Sequence, residues 1–308
     1  MAAAREAIHE RVLHLGDHGH LVAIASDPPA ADATPTAILL NAGVLHRVGP
    51  HRLHVRLARS LAASGIPAVR VDLSGIGDSR PLPSGLNFRA SSVADVRAAM
   101  DQLGGATGRF VLFGVCSGAD NALAAAEVDP RVAGLVLVDP PAYATAASRW
   151  RRRTGSARDP AYLLALPRRI VAALARRARR LWTTTGAPKS GHEPAPGRKS
   201  PPLQEFRRQM EALLGRGVRI LAIYSGALGD RCNAREQLFE ALPELRGRIE
   251  LEWFADANHT FTERSAQAAL LDVVLAWFER HFRTPPRAAG AQAQADPAGQ
   301  RETRRGTA

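Results

Sequence analysis

The chain has 308 residues, 45% hydrophobic and 23% charged, which suits one large α/β domain with an insertion or two small domains. Two cysteines exclude a disulfide framework. There is no run of about 18 apolar residues, as a membrane helix needs, and the opening Met1–Arg5 lacks the apolar stretch of a secretion signal. A cytoplasmic location is therefore expected. The net charge of +12 is concentrated. Between Arg149 and Arg208 stand sixteen Arg or Lys against three acids, a surplus of +13, so the remainder is near neutral.

Apolar runs alternate with helical patterns along the chain. Residues 11–15 and 20–25 read as two short opening strands, and Thr36–Asn41 as a buried strand ending at a turn. His51–Ser64 carries Leu53, Val55, Leu57 and Leu61 among charges, which predicts a helix closed by Gly65. Ile66–Val71 is a strand, and Asn87–Leu103 is a helix with Val93, Val96, Met100 and Leu103 at helical spacing. Arg109–Val115 is a strand, followed by a small-residue helix from Ser117 to Glu127 and a strand at Val132–Val138. Val218–Tyr224 and Ile249–Phe254 are the last strands, with a helix at Ala234–Leu242 between them and an amphipathic one at Ser265–Phe282 after them.

Strands separated by helices predict βαβ units, right-handed crossovers and a mostly parallel eight-stranded sheet covered on both faces. The core is expected in residues 1–140 and 218–283. Residues 141–217 are too long for a connecting loop and read as a basic helical cap. That segment includes a helix at Ala161–Trp182 and a flexible Pro/Gly/Lys/Ser stretch over 183–202. Residues 284–308, without apolar periodicity, read as a disordered tail.

The decisive local pattern is Phe113-Gly114-Val115-Cys116-Ser117-Gly118-Ala119. A strand enters, a small-residue helix leaves, and glycines stand two residues either side of Cys116. This is the Gly-x-nucleophile-x-Gly elbow with Cys in place of Ser. The nucleophile sits on a tight strand-to-helix turn, and the helix amides favour a thiolate and later an oxyanion. Ser117 fits the register less well, because its flanks would be Val115 and Ala119. Its backbone N–H is instead a candidate oxyanion donor. The other reading of Cys116 is a small buried residue after a core strand.

The chain order for this fold is nucleophile, acid, histidine. Of ten histidines, His259 alone lies between the last strand and the closing helix. Asp230, after the penultimate strand, is the first candidate for the acid that orients it. Asp139, at the end of the preceding strand, is the alternative.

Together with Asn41-Ala42-Gly43, His46–Arg52, Asp72–Ser79 and His259-Thr260-Phe261, the elbow resembles the α/β-hydrolase superfamily over about residues 10 to 282. The resemblance is to its serine-aminopeptidase-like branch, and especially to exosortase-associated hydrolases with Cys at the elbow. It implies an α/β-hydrolase fold and a second oxyanion donor in the turn after the third strand, at Gly43 or Val44. His46 and Arg47 are candidates to line the pocket, or polar residues at a helix start. No metal or cofactor is expected.

The expected reaction is hydrolysis of a carboxylic ester or thioester through an acyl-enzyme. The alternatives are acyl transfer on the same fold and a binding protein that retains the fold without turnover. The basic segment suggests an anionic partner: a CoA- or carrier-linked acyl group, an acidic polysaccharide or an anionic membrane surface. No nucleic-acid motif accompanies the charge.

Overall fold

The computed structural model describes residues 8–29, 34–82, 85–157 and 200–283. Its frame is one sheet of eight strands: β1 (His9–Leu15), β2 (Leu21–Asp27), β3 (Thr36–Leu39), β4 (Ala68–Val71), β5 (Phe110–Val115), β6 (Val132–Val138), β7 (Arg219–Ser225) and β8 (Glu250–Phe254). They lie in the order β1-β2-β4-β3-β5-β6-β7-β8. The pairs β1–β2 and β2–β4 are antiparallel, and every later pair is parallel. The central strands are unbroken apolar runs because helices cover both faces. All six residues of β5 are buried. Edge strand β1 instead exposes half its residues, and its charged side chains blunt an unpaired edge.

Alternation along β5 divides the core in two. Val111, Phe113 and Val115 face a cluster with α1 (Leu53–Ala63), which contributes Leu53, Leu57 and Leu61. The long closing helix at Arg264–Phe282 adds Leu270, Val274 and Trp277 to the same cluster. Phe110 and Leu112 face the other cluster, built on α2 (Phe88–Gly104) and α3 (Ser117–Val128). Helix α3 is nearly all Ala and Gly on its buried positions, so it lies close against the sheet.

The first elements match the sequence reading to within a few residues, with one local difference. Helix α1 starts at Leu53, after a 3-10 turn at Pro50–Arg52 in which His51 and Arg52 take positive φ. The helix expected over Ala234–Leu242 is shorter, at Gln237–Ala241, with a 3-10 turn starting at Pro243 next to it.

After β6 comes α4 (Ala146–Ala157). The expected helix Ala161–Trp182 and most of the 183–202 stretch lie outside the described residues, as does the tail beyond 283. A further helix, α5 (Leu203–Gly215), falls within the segment read as cap. It buries Phe206, Met210 and Leu213 in the α2–α3 cluster. Burying one such side chain contributes about 2–3 kcal/mol, so this stretch packs with the core and completes the crossover from β6 to β7. Two more helices finish the molecule, the short α6 (Gln237–Ala241) and the long α7 (Arg264–Phe282). No helix among the described residues is long and apolar enough to cross a membrane.

Candidate active site

Cys116 is the single residue between β5 and α3, at φ 58° and ψ −117°. For a residue with a Cβ this is strained backbone. It is held by the Cys116 amide donating to the Val138 carbonyl at 2.9 Å and the Ala119 amide returning to the Cys116 carbonyl at 3.0 Å. The flanking glycines have a steric cause. A Cβ on Gly114 would stand 2.2 Å from the Gly118 backbone, and one on Gly118 would stand 2.6 Å from the Asn41 carbonyl oxygen. The second contact brings the start of α3 against the turn after β3. Cys116 is half-buried. The other thiol, Cys232, is buried, and that burial pushes its pKa up to about 12.

His259 lies in the loop between β8 and α7. Phe261 anchors that loop: it is fully buried, packs edge-on to Phe254, and accepts from Gln267 Nε2 at 2.8 Å through its carbonyl. His259 Nδ1 meets Asp139 Oδ2 at 2.5 Å. The imidazole also hydrogen-bonds Cys116, and the Asp139 bond first, then the Cys116 bond, raise its pKa to about 9.

The carboxylate at His259 is therefore Asp139, the sequence's alternative, rather than Asp230. Nδ1 has one hydrogen to give, and Asp139 is placed to take it. Asp230 falls in the turn Gly226–Arg231, and its side chain lies outside the described residues. Asp139 follows β6 directly with φ 50° and is fully buried. Its Oδ1 accepts from the Ser225 amide at 2.7 Å, and its Oδ2 from Ser225 Oγ at 2.7 Å. Ser225, the last residue of β7, escaped the sequence reading. Its signal was its place at the strand end, where the acid was expected.

The turn after β3 is built around a fully buried carboxylate. Asp72 Oδ1 accepts from Asn41 Nδ2 at 2.9 Å and from the Arg47 amide at 2.5 Å, while Oδ2 accepts from the Asp78 amide at 3.1 Å. Asn41 returns the clamp by donating to the Leu45 carbonyl and accepting from the Leu73 amide, each at 2.8 Å. Within this turn the Gly43 amide donates to Ser117 Oγ at 2.8 Å. A substrate oxygen calling on Gly43 must take that hydrogen over from Ser117. Val44, the next residue, is exposed. The Ser117 amide heads α3.

His46 and Arg47 stand in this clamp. His46, Asp72 and Asp78 come close enough together to suggest a metal site. However, Arg47 Nη1 bonds all three: Asp72 Oδ2, Asp78 Oδ2 at 2.8 Å and His46 Nε2 at 2.9 Å. The guanidinium holds the place a cation would take, and it draws the Asp78 pKa down. The cavity beside the elbow lies elsewhere. It measures about 440 Å³ and is lined by Ser117, Asp120, Asn121, Phe88, Pro141 and Gln209, among others. Neither His46 nor Arg47 lines it.

A thiol, an imidazole and a buried carboxylate stand in series at the carboxyl ends of parallel strands of a doubly wound sheet. The sequence model of the alpha/beta hydrolase family matches residues 37–273, and the chain belongs to that family. Membership makes it an enzyme of the hydrolase type. Among solved structures, the thioesterase domain from the curacin biosynthetic pathway is 19% identical, with a TM-score of 0.53, covering 88% of this chain and 100% of that one. The α/β hydrolase GrgF from Penicillium sp. sh18 is 16% identical, with a TM-score of 0.54 and coverages of 90% and 99%. A serine hydrolase without a lid from Xanthomonas campestris is 16% identical, with a TM-score of 0.51 and coverages of 91% and 97%. At these identities the likeness is one of fold. No curated protein matches the sequence.

Proposed function

We propose that the protein hydrolyses carboxylic ester or thioester bonds through Cys116, His259 and Asp139. The carrying observation is that one imidazole bonds both the buried Asp139 carboxylate and the Cys116 sulfur. Because its pKa is raised to about 9, His259 holds a proton through neutral pH, and a cation beside a sulfur favours the thiolate. The resting site is then a thiolate–imidazolium pair.

The thiolate attacks the acyl carbon, and its oxygen becomes an oxyanion held by the amides of Ser117 and of Gly43 or Val44. One such donor contributes about 3–4 kcal/mol. The imidazolium protonates the leaving oxygen or sulfur, which departs and leaves an acyl-thioester. Neutral His259 then takes a proton from water as that water attacks the acyl carbon. Collapse expels the thiolate, restores the ion pair and releases the acid. Thiolate attack on a thioester makes another thioester, a nearly balanced exchange, so CoA- and carrier-linked acyl groups suit this nucleophile.

Turnover of p-nitrophenyl esters and acyl-CoA thioesters by the purified chain tests the reading, with mass spectrometry to trap an acyl group on Cys116. Cys116→Ala is expected to lower kcat by about a thousandfold or more. Unchanged turnover in that variant would falsify the assignment. A product bearing an added acceptor alcohol would move the reading to acyl transfer.

A further inference from the structure

Eight large hydrophobic side chains are exposed among the described residues, and six of them lie on segments that follow the parallel strands β3, β4 and β6. Val44 and Leu45 leave β3. Leu82, Leu86 and Phe88 lie between β4 and the start of α2. Trp150 stands on α4, after β6. Strands β4, β3, β5 and β6 are neighbours and parallel, so these segments emerge at one edge of the sheet, the edge where β5 delivers Cys116. Scattered exposed apolar residues are ordinary, whereas a collection on one edge marks an interaction surface.

Basic side chains outnumber acids next to the apolar rim: Asp78 is paired with Arg47 and His46, and Asp120 and Glu205 line the cavity beside Phe88 and Arg89. Helix α4 turns Ser148 and Arg151 inward, where Arg151 binds Asn233 and Glu240. Its outer side presents Arg149, Trp150 (66% exposed) and Arg153. Arg80 and Arg89 flank the Leu82–Phe88 stretch and are also exposed. No carboxylate among the described residues pairs with Arg80, Arg89, Arg149 or Arg153. The exposed acids Asp256 and Glu263 lie at the β8 side instead.

We infer that the mouth of the site docks on an anionic lipid surface. An exposed tryptophan between arginines, beside leucines and a phenylalanine, is the chemistry of an interfacial anchor. The arginines meet anionic headgroups, the apolar rim enters the headgroup–acyl boundary, and Cys116 then opens toward the membrane. The occupant is set by charge complementarity together with the apolar rim. A soluble acidic polymer would use the first and leave the second unburied.

The test is sedimentation of full-length Cys116→Ala protein with vesicles, so the result is independent of the proposed chemistry. Vesicles of phosphatidylcholine mixed with phosphatidylglycerol are expected to bind the protein, and vesicles of phosphatidylcholine alone to bind it weakly. Binding should fall steeply as salt rises toward about 0.5 M. Phe88→Ala combined with Trp150→Ala should weaken partitioning by about tenfold or more. Arg149→Ala combined with Arg153→Ala should weaken it by a comparable factor, since each headgroup contact is worth about fivefold. All four side chains are exposed, and circular dichroism checks that the variants keep the fold. Three outcomes overturn the proposal: no binding to the mixed vesicles at low salt, equal binding by the rim variants, or retention on alginate with no vesicle binding.

Discussion

At the scale of single residues, the site depends on which atom receives the His259 proton. Asp139 holds Nδ1, and the same bond is the largest cause of the raised imidazole pKa. The folded value, about 9, lies above the ordinary 6.5. The stabilisation from that bond is therefore full below pH about 6.5 and is lost as pH rises through about 9. In the proposed mechanism the leaving group needs the imidazolium, so kcat/KM is expected to decline above pH about 9. Asp139→Asn should move that alkaline limb down toward the ordinary histidine range and lower kcat by about a hundredfold or more. Asp230→Asn should leave the limb where it is. A pH–rate profile of both variants decides between the acids, and a limb that follows Asp230 would refute the role given to Asp139.

At the scale of elements, legibility depended on how local the cause was. The elbow could be read because its two glycines answer clashes within a few residues and with one neighbouring turn. Helix α5 has Leu203, Phe206, Met210 and Leu213 at helical spacing, a pattern of the kind that identified the other helices. It was absorbed into the basic cap because charge dominates the stretch before it. Phe206 is 1% exposed in the α2–α3 cluster. Phe206→Ala is expected to cost about 3–5 kcal/mol in urea denaturation, whereas a side chain in a detached cap would cost far less. The Ser225–Asp139 and Gly43–Ser117 bonds have no local signature, because they join residues 86 and 74 positions apart in sequence.

At the scale of the whole molecule, two features set its response to its surroundings. One is the basic and apolar rim, proposed to dock on a lipid surface. The other is His54 on α1, fully buried, edge-on to Phe113 at 5.6 Å, with neither ring nitrogen hydrogen-bonded among the described residues. Burial pushes its pKa down to about 4. A depressed folded value means the unfolded chain takes up the proton first as pH falls. The contribution is therefore present above about 6.5 and is lost through the window from about 6.5 to about 4. Between pH 7 and pH 5 the loss from this one group is about 2 kcal/mol. Urea denaturation at both pH values checks it against His54→Leu, in which most of the difference should vanish.

The sequence by itself determined the class of fold, the elbow around Cys116 and the place of His259 between the last strand and the closing helix. Strand and helix periods, the glycine spacing and the order along the chain are properties of short stretches. Tertiary structure decided which described carboxylate meets His259, the partner of the Gly43 amide, the clamp that holds His46 and Arg47, and the allegiance of α5. Each depends on which strand ends and turns come side by side once the sheet is assembled. Asp139 and Asp230 both follow strands at the same edge, and the left-handed turn at Asp139, with Ser225 beside it, brings that carboxylate to the imidazole.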